Sequence, residues 1–401
     1  MIEIGVGIIK EACETNGLGL LGGYRLKIAV PNEIDTHERR VALDPDRVQR
    51  LSKNGFDVLV EQGAGEGAAS SDQLYQDAGA MIVGSKQDLF QQADVILKLN
   101  KPSLEEVDAY KENTTLISFL DPLSDHDLTK KLKSKNITSF SMELVPRIAR
   151  AQKMDALSSM SSLAGYKAVL IAADALPKYF PMLITAAGTI APSKVLILGA
   201  GVAGLQAIAT AKRLGAVVSA YDIRPAVKEQ VESLGGNFLE VDLGEDTETE
   251  GGYAKALSEE GQRKGQEMIH EHVKGIDVVI TTALIPGRAA PELITEGMVK
   301  DMPVGSVIVD LAAEAGGNCK LTKAGETIVE HGVSIYGPLN LASTMSVHAS
   351  QLYARNIIAL FEHLVQENEL HFDFEDEITK EACVTHQGNI INERVKSLVE
   401  A

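Results

Sequence analysis

Short runs of β-branched and apolar residues alternate along the chain with stretches whose apolar positions recur at helical spacing. In the first third, the runs at 26–30, 57–60, 94–99, 115–120 and 137–142 predict strands. The patterns at 45–53 and 124–132 between them predict helices. Such alternation points to a parallel sheet covered on both faces. The middle third repeats the theme. An apolar strand at 195–198 leads into a tight turn at 199–204 and a helix at 203–214, with Gly215 as its C-cap. Further strands are expected at 216–221, 238–241, 277–282 and 306–311. The fold class is therefore α/β, with two Rossmann-like, doubly wound parallel-sheet domains and a cleft between them.

After the second sheet, 346–366 reads as a long amphipathic helix, and 372–392 as a β-hairpin turning at Gln387-Gly388. A helix in this place can return the chain to the first domain. The expected division is an N-terminal extension at 1–23, a discontinuous first domain at 24–160 plus 346–401, and a second domain at 161–345. Residues 242–264 are rich in Gly, Glu and Asp. They read either as a solvated surface loop or as a lid that closes over a ligand.

Composition narrows the function. The 401 residues are 45% hydrophobic and 23% charged, ordinary for a globular protein and enough for two cores. A formal net charge of −18 argues against nucleic acid, which needs clustered positive charge. The best uninterrupted apolar run, 180–192, is shorter than a membrane helix and carries prolines and glycine, so no direct membrane span is expected. Cys13, Cys319 and Cys383 are far apart, and no CxxC or His/Cys cluster marks a metal site.

The clearest chemistry is Gly199-Ala200-Gly201-Val202-Ala203-Gly204, a GxGxxG directly after a strand and opening a helix. Gly199 permits the turn, Gly201 removes a Cβ that would block a pyrophosphate, and Gly204 lets helix and strand pack closely. The helix N-terminus favours the anion. Asp222 follows Gly204 by 18 positions at the end of the next strand, suited to a ribose diol and hostile to a 2′-phosphate. NAD(H) is therefore expected over NADP(H), although Arg224 could accept a 2′-phosphate. The segment 146–158 lies between the domains and carries Arg147, Gln152, Asp155 and Ser158. These side chains can hydrogen-bond a carboxamide and ribose hydroxyls, or form a polar linker. Oxidising an alcohol or amine needs an acid or base at the reacting carbon, whereas hydride transfer between two nicotinamides does not.

From about 26 to 383 the chain resembles the NAD(H)-binding alpha subunit of proton-translocating NAD(P) transhydrogenases. The landmarks are Glu38-Arg39-Arg40-Val41-Ala42-Leu43, Pro146-Arg147-Ile148, Ala151-Gln152, Met154-Asp155, Leu163-Ala164-Gly165-Tyr166, the glycine motif with its helix, Gly251-Gly252-Tyr253-Ala254-Lys255, Thr281 to Gly287, and Glu314 to Cys319. The resemblance implies that Arg147, Asp155 and Ser158 hold the nicotinamide carboxamide and its ribose. It places Gln152 near the partner's dinucleotide at the hydride-transfer step, with Arg147, Gln152 and Asp155 as the catalytic set. Asp222 matches the adenosine-ribose carboxylate, and Tyr253 a tyrosine on a mobile loop. Ile223, Arg224, Gly252 and Leu284 complete the cofactor-binding set.

The resemblance further implies a homodimer, contacting through the C-terminal hairpin and long helix. The implied partners are a membrane subunit that moves protons and a beta subunit that binds NADP(H). The chain ends at Ala401 without a membrane segment, so it is expected to be cytoplasmic, on the inner membrane's cytoplasmic face through those partners. The chain is also similar to alanine dehydrogenase. There a substrate Arg precedes Val-Ala-Leu, and Arg40 keeps it. Asn100 and Asp121 stand where that family has its catalytic Lys and His, and Glu314 where it has its Asp. The pyruvate site looks dismantled, and Arg40 is then expected to serve the fold, for instance by pairing a carboxylate. An alanine dehydrogenase-like enzyme and a non-catalytic NAD-binding module are the alternatives.

Overall fold

The computed structural model describes residues 25–242, 258–284 and 289–400 of the chain. The expected extension at 1–23, the loop residues Gly252 and Tyr253, and the end of the 281–287 landmark lie outside the described residues.

Two mixed α/β layers are built around two large sheets. In the first, β1 (Lys27–Val30), β2 (Asp57–Glu61), β3 (Met81–Val83), β4 (Val95–Leu97), β5 (Thr115–Ser118) and β6 (Thr138–Ser141) run parallel. A hairpin, β7 (Leu183–Thr185) and β8 (Gly188–Ile190), precedes the second sheet. That sheet holds β9 (Lys194–Leu198), β10 (Val217–Tyr221), β11 (Asn237–Phe238), β12 (Val278–Thr281), β13 (Val307–Asp310), β14 (Thr327–Glu330) and β15 (Val333–Tyr336). The hairpin of β16 (Val365–Gln366) and β17 (Glu369–Leu370) follows, and β18 (Cys383–His386) and β19 (Asn389–Ile390) close the chain.

The strand orders are β19-β18-β6-β5-β4-β1-β2-β3 and β11-β10-β9-β12-β13-β15-β14. In each, the first parallel strand sits at the centre, and the order reverses beside it, between β1 and β4 in one sheet and β9 and β12 in the other. Ligands of open α/β sheets bind at such a reversal, beyond the C-terminal strand ends.

Local chemistry explains the elements. The helix Pro45–Lys53 starts with Asp44 capping the Arg47 N–H, Pro45 in its first turn and Lys53 at its end. The helix Leu104–Ala109 has a reciprocal capping box between Ser103 and Glu106. Gln387 and Gly388 both take positive φ, the signature of a tight two-residue hairpin turn. The expected hairpin at 372–392 shrinks to β18 and β19, because Asp376 caps a helix, Glu377–Ala382, that occupies its first half. The long helix spans Ser346–His363, and Glu367 and Asn368, both at positive φ, turn the following residues into β16–β17. The helix Glu259–Val273, capped by Ser258, takes up the end of the loop expected to reach 264.

The sequence pattern did not reveal the 20-residue helix Ala156–Ala175. Contrary to the expectation from apolar runs, it is long and apolar enough, by length and composition, to cross a membrane. Its burial is internal and divided. Ala156 and Met160 join the core under the first sheet, whereas Ala168, Val169 and Ala172 join the core under the second. Gly165 lies between these halves, against the helix Val202–Arg213. A Cβ on Gly165 would stand 2.0 Å from the Ala203 carbonyl oxygen. Gly165→Ala must push the two helices apart, which is overpacking at about 1–3 kcal/mol or more. The expected outcome is a thermal midpoint lowered by several degrees, with weaker NADH binding. An unchanged midpoint would contradict this packing.

Candidate functional site

The glycine turn sits at the reversal of the second sheet. Gly199 takes φ +97°, and a Cβ there would fall 2.6 Å from the Thr282 hydroxyl at the end of β12. Thr282 donates that hydroxyl to the Gly199 carbonyl at 3.0 Å, which ties the turn to the neighbouring strand. A Cβ on Gly204 would be 1.9 Å from the Gly199 carbonyl, so only glycine lets the helix start this close. A Cβ on Gly201 would meet only the Arg224 guanidinium, at 3.9 Å, so the turn opens onto space there. The helix Val202–Arg213 begins at Gly201 with no side-chain cap, which leaves its first-turn N–H groups for a ligand.

Asp222 stands at the end of β10 and faces the turn. Its Oδ2 accepts the Ala200 N–H at 2.7 Å, and its two oxygens take the Arg224 guanidinium bidentately, each at 2.9 Å. Oδ1 also accepts the Arg224 backbone N–H at 2.9 Å. The carboxylate therefore arrives with about four donors already in place, near its full acceptor capacity. A ribose diol would share it with Arg224, and Arg224 is engaged by the very group expected to exclude a 2′-phosphate. Ile223 is half-buried beside the pair.

On the far wall, Ala283 and Leu284 follow β12. The buried Asn318 clamps them: its Oδ1 accepts the Ala283 N–H at 3.0 Å and its amide donates to the Ala283 and Pro291 carbonyls. Leu284 is half exposed. Below them, buried Asp310 accepts from the Thr281 and Thr322 hydroxyls and from the Ala312 and Cys319 N–H groups. Neither Asn318 nor Asp310 stood out as a site support in the sequence; each lies among small residues with no periodic signal.

The interdomain segment forms a 3₁₀ turn, Ala149–Met154, that runs into the helix Ala156–Ala175. Asp155 caps the helix: its Oδ1 accepts the Ser158 N–H at 2.8 Å and its Oδ2 the Ser158 hydroxyl at 2.6 Å. Arg147 and Gln152 are exposed on the same segment. At 1.5 Å per residue, Ser158 lies about 10 Å along the helix from Gly165, the point of contact with the glycine-turn helix. One rod thus connects the Asp155–Ser158 pair to the motif.

The reversal of the first sheet is closed. Lys98 and Glu33, both fully buried, pair at 2.8 Å between β1 and β4, and Glu33 also accepts the Leu99 and Asn100 N–H groups. Burial pushes the Glu33 carboxyl up, against the opposing pull of Lys98. The Tyr353 hydroxyl donates to the Lys98 carbonyl at 2.8 Å. Beside this seal, Arg40 pairs with a carboxylate, as its retention suggested. Its guanidinium donates to both oxygens of Glu38 at 2.7 and 2.6 Å, and to the Asn340 side-chain oxygen at 2.9 Å. Asn100 and Asn340 donate to Glu38 as well, and Glu314 accepts the Asn340 N–H at 2.9 Å. Asp121, at φ +51°, donates its N–H to the buried Glu143.

Burial alone would raise the Glu38 carboxyl, but the Arg40 hydrogen bonds and charge outweigh it and bring it down from 4.5 to about 2. A group depressed on folding stabilises the protein above its unfolded pKa and loses that contribution as pH falls through the folded one. Its contribution at neutral pH is on the order of 3 kcal/mol. Glu38→Gln should therefore lower the unfolding midpoint at pH 7, and the gap to the parent should close between pH 4.5 and 2. A gap constant across that range would contradict the assignment.

Comparison with known proteins agrees with this architecture. The family of the alanine dehydrogenase/PNT N-terminal domain matches residues 29–164, and that of the alanine dehydrogenase/PNT C-terminal domain matches 168–393. In Rhodospirillum rubrum the alpha subunit of NAD(P) transhydrogenase is divided, and this chain is 48% identical over 376 residues to its first piece, covering 92% of this chain and 98% of that one. A solved transhydrogenase from Sinorhizobium meliloti superposes with a TM-score of 0.80 at 42% identity, covering 92% of this chain and 99% of that one. A solved L-alanine dehydrogenase gives 0.76 at 26% identity, with 94% and 99% covered.

Proposed function

The chain belongs to the alanine dehydrogenase/PNT family, on the side of the NAD(P) transhydrogenase alpha subunits, and from that premise we propose that it binds NAD(H) at the glycine turn and exchanges a hydride directly with NADP(H) held by a partner subunit. The observation that carries this reading is the opening beside Gly201 at the reversal of the second sheet, with Asp222 at the next strand end. The bound dinucleotide supplies or takes the hydride. The protein's part is to hold it: the 202–213 helix N-terminus for the pyrophosphate, Asp222 for the adenosine ribose, and Arg147, Asp155 and Ser158 for the nicotinamide carboxamide and its ribose. Gln152, exposed on the turn before Asp155, would meet the partner's dinucleotide. Gly252 and Tyr253 would close on the bound nucleotide. With no proton to move at the reacting carbon, the rate comes from positioning two rings.

The alanine dehydrogenase alternative loses ground on one observation. The Arg40 guanidinium is taken by Glu38 and Asn340, and Asn100, which stands at the position of the catalytic Lys, serves the same Glu38. Coupling to proton movement would reside in a membrane subunit, with this chain peripheral on the membrane's cytoplasmic face.

A homodimer belongs to the same reading, with a different contact surface from the one the resemblance implies. The long helix is buried in the first core through Ala349, Tyr353, Ile357 and Phe361 and offers little to a second copy. The β7–β8 hairpin instead carries Ile184 at 73% exposure, near exposed Tyr179 and Met182. Ile184→Asp should shift the chain from dimer to monomer in sedimentation; a parent that is already monomeric would overturn the dimer.

Two substitutions divide the nucleotide site. Asp222→Ala should weaken NADH, followed by the cofactor's own fluorescence because the chain contains no Trp. The expected loss is that of a charge-assisted hydrogen bond, roughly 1.5–3 kcal/mol. Gln152→Asn should leave NADH affinity nearly unchanged and slow transfer to the partner. Undiminished affinity in the first, or a proportionate loss of affinity in the second, would contradict the assignments.

A further inference from the structure

The turn that carries Gln152 is an element with little stability of its own. Ala149–Met154 is a six-residue 3₁₀ helix, longer than the three or four residues at which such helices are commonly found. Ile148, its N-cap, makes no side-chain cap. Ala151 and Met154 sink into the first core, which leaves Gln152 and Lys153 outward. Two grips from one helix hold the rest.

The first grip is Asn356, in the middle of the long helix Ser346–His363. Its neighbours Tyr353, Ile357 and Leu360 are core residues, and Asn356 itself is 7% exposed. Its amide donates to the Lys153 carbonyl at 2.8 Å, one residue past Gln152. Its Oδ1 is buried and has no hydrogen-bond partner among the described residues. Burying an amide with one end unmet costs stability, so an apolar residue would serve packing better. The second grip is Asp376. It caps the Glu377–Ala382 helix through the Ile378 and Thr379 N–H groups and pairs with Arg150 on the turn. Its Oδ1 also lies 2.9 Å from the His363 Nε2. Asn356 and His363 are seven residues apart, two turns on one helix face. The long helix therefore holds the turn on both sides of Gln152, directly after it and, through Asp376, before it.

We propose that Asn356 and the Asp376–Arg150 pair are positioning residues for hydride transfer, fixing the 149–154 turn so that Gln152 meets the partner's dinucleotide in register. This rests on the role given to Gln152 above. A misplacement of about 1 Å at a reacting pair can cost on the order of 100-fold in rate. Asn356→Ala and Asp376→Asn in the full chain, assayed with the NADP(H)-binding partner subunit, should therefore slow transfer roughly 10- to 100-fold while NADH affinity changes less than about threefold. Arg150→Lys, which can keep the ion pair, should recover most of the rate that Arg150→Gln loses. In a Gln152→Asn background, Asn356→Ala should add little, because both act through one group. Full additivity, or unchanged rates in both single variants, would overturn the proposal.

A second readout needs no partner and no turnover. Backbone amides at 149–154 should exchange with solvent faster in Asn356→Ala than in the parent, while those of the 202–213 helix stay unchanged. Unchanged exchange at 149–154 overturns the positioning role even if Gln152 proves essential. Faster exchange, with normal transfer in Gln152→Asn, instead places the fault in the reading of Gln152 and overturns the proposal with it.

Discussion

The arrangement depends on one backbone contact, where the helix Ala156–Ala175 crosses the glycine-turn helix at Gly165 and Ala203. No side chain fits between them: even a methyl would stand 2.0 Å from a carbonyl oxygen. Because the contact is so close, the helix shares its apolar face between two cores, the first at Met160 and the second at Ala168, Val169 and Ala172. Its N-terminus carries the Asp155 cap, Ser158 and the Gln152 turn, and its middle touches the start of the glycine motif. The two halves of the proposed nucleotide site are therefore set by one rigid element rather than by two independent loops. A mostly apolar helix of this length would suit a membrane; here its contacts with both cores account for the composition.

The two sheets share the order 3-2-1-4-5-6 in their parallel strands and differ at the reversal. In the second sheet, glycines leave the crevice open, and Asp222 waits at the next strand end. In the first, a buried Lys98–Glu33 pair and the Tyr353 hydroxyl fill the corresponding place. Buried ion pairs stabilise little once desolvation is counted, but removing one partner is severe. The seal is thus better understood as fixing the strand ends than as a large stabilising term. Next to it, Glu38 draws Arg40, Asn100 and Asn340 together and joins the first domain to the chain that returns from the second. A substrate carboxylate would have to displace Glu38 from Arg40, which agrees with the greater likeness to transhydrogenases than to alanine dehydrogenase.

Much of this was legible in the sequence, for physical reasons. Strands such as Val195 to Leu198 and Val278 to Thr281 are β-branched and buried on both faces, so their pattern is strong. Gly199 and Gly204 declare themselves because sterics admit nothing else there. The helix Ala156–Ala175 was hidden because it is buried on several sides by two domains, which removes the one-sided stripe that reveals amphipathic helices. The short hairpins at β7–β8 and β16–β17 owe their form to turn conformations at one or two residues, a weak signal. Asn356 leaves no trace as a single polar position in a core helix, and the binding of Arg224 to Asp222 follows from side-chain geometry that spacing does not encode.

The central claim is that this chain is half of a hydride-transfer site. The most direct measurement is NADPH-dependent reduction of an NAD analogue by the purified chain, with and without the NADP(H)-binding domain of a transhydrogenase partner subunit. The account predicts transfer only when both are present, saturating with the partner domain. Transfer at the same rate by the chain alone, or none on mixing despite saturating NADH binding, would contradict it.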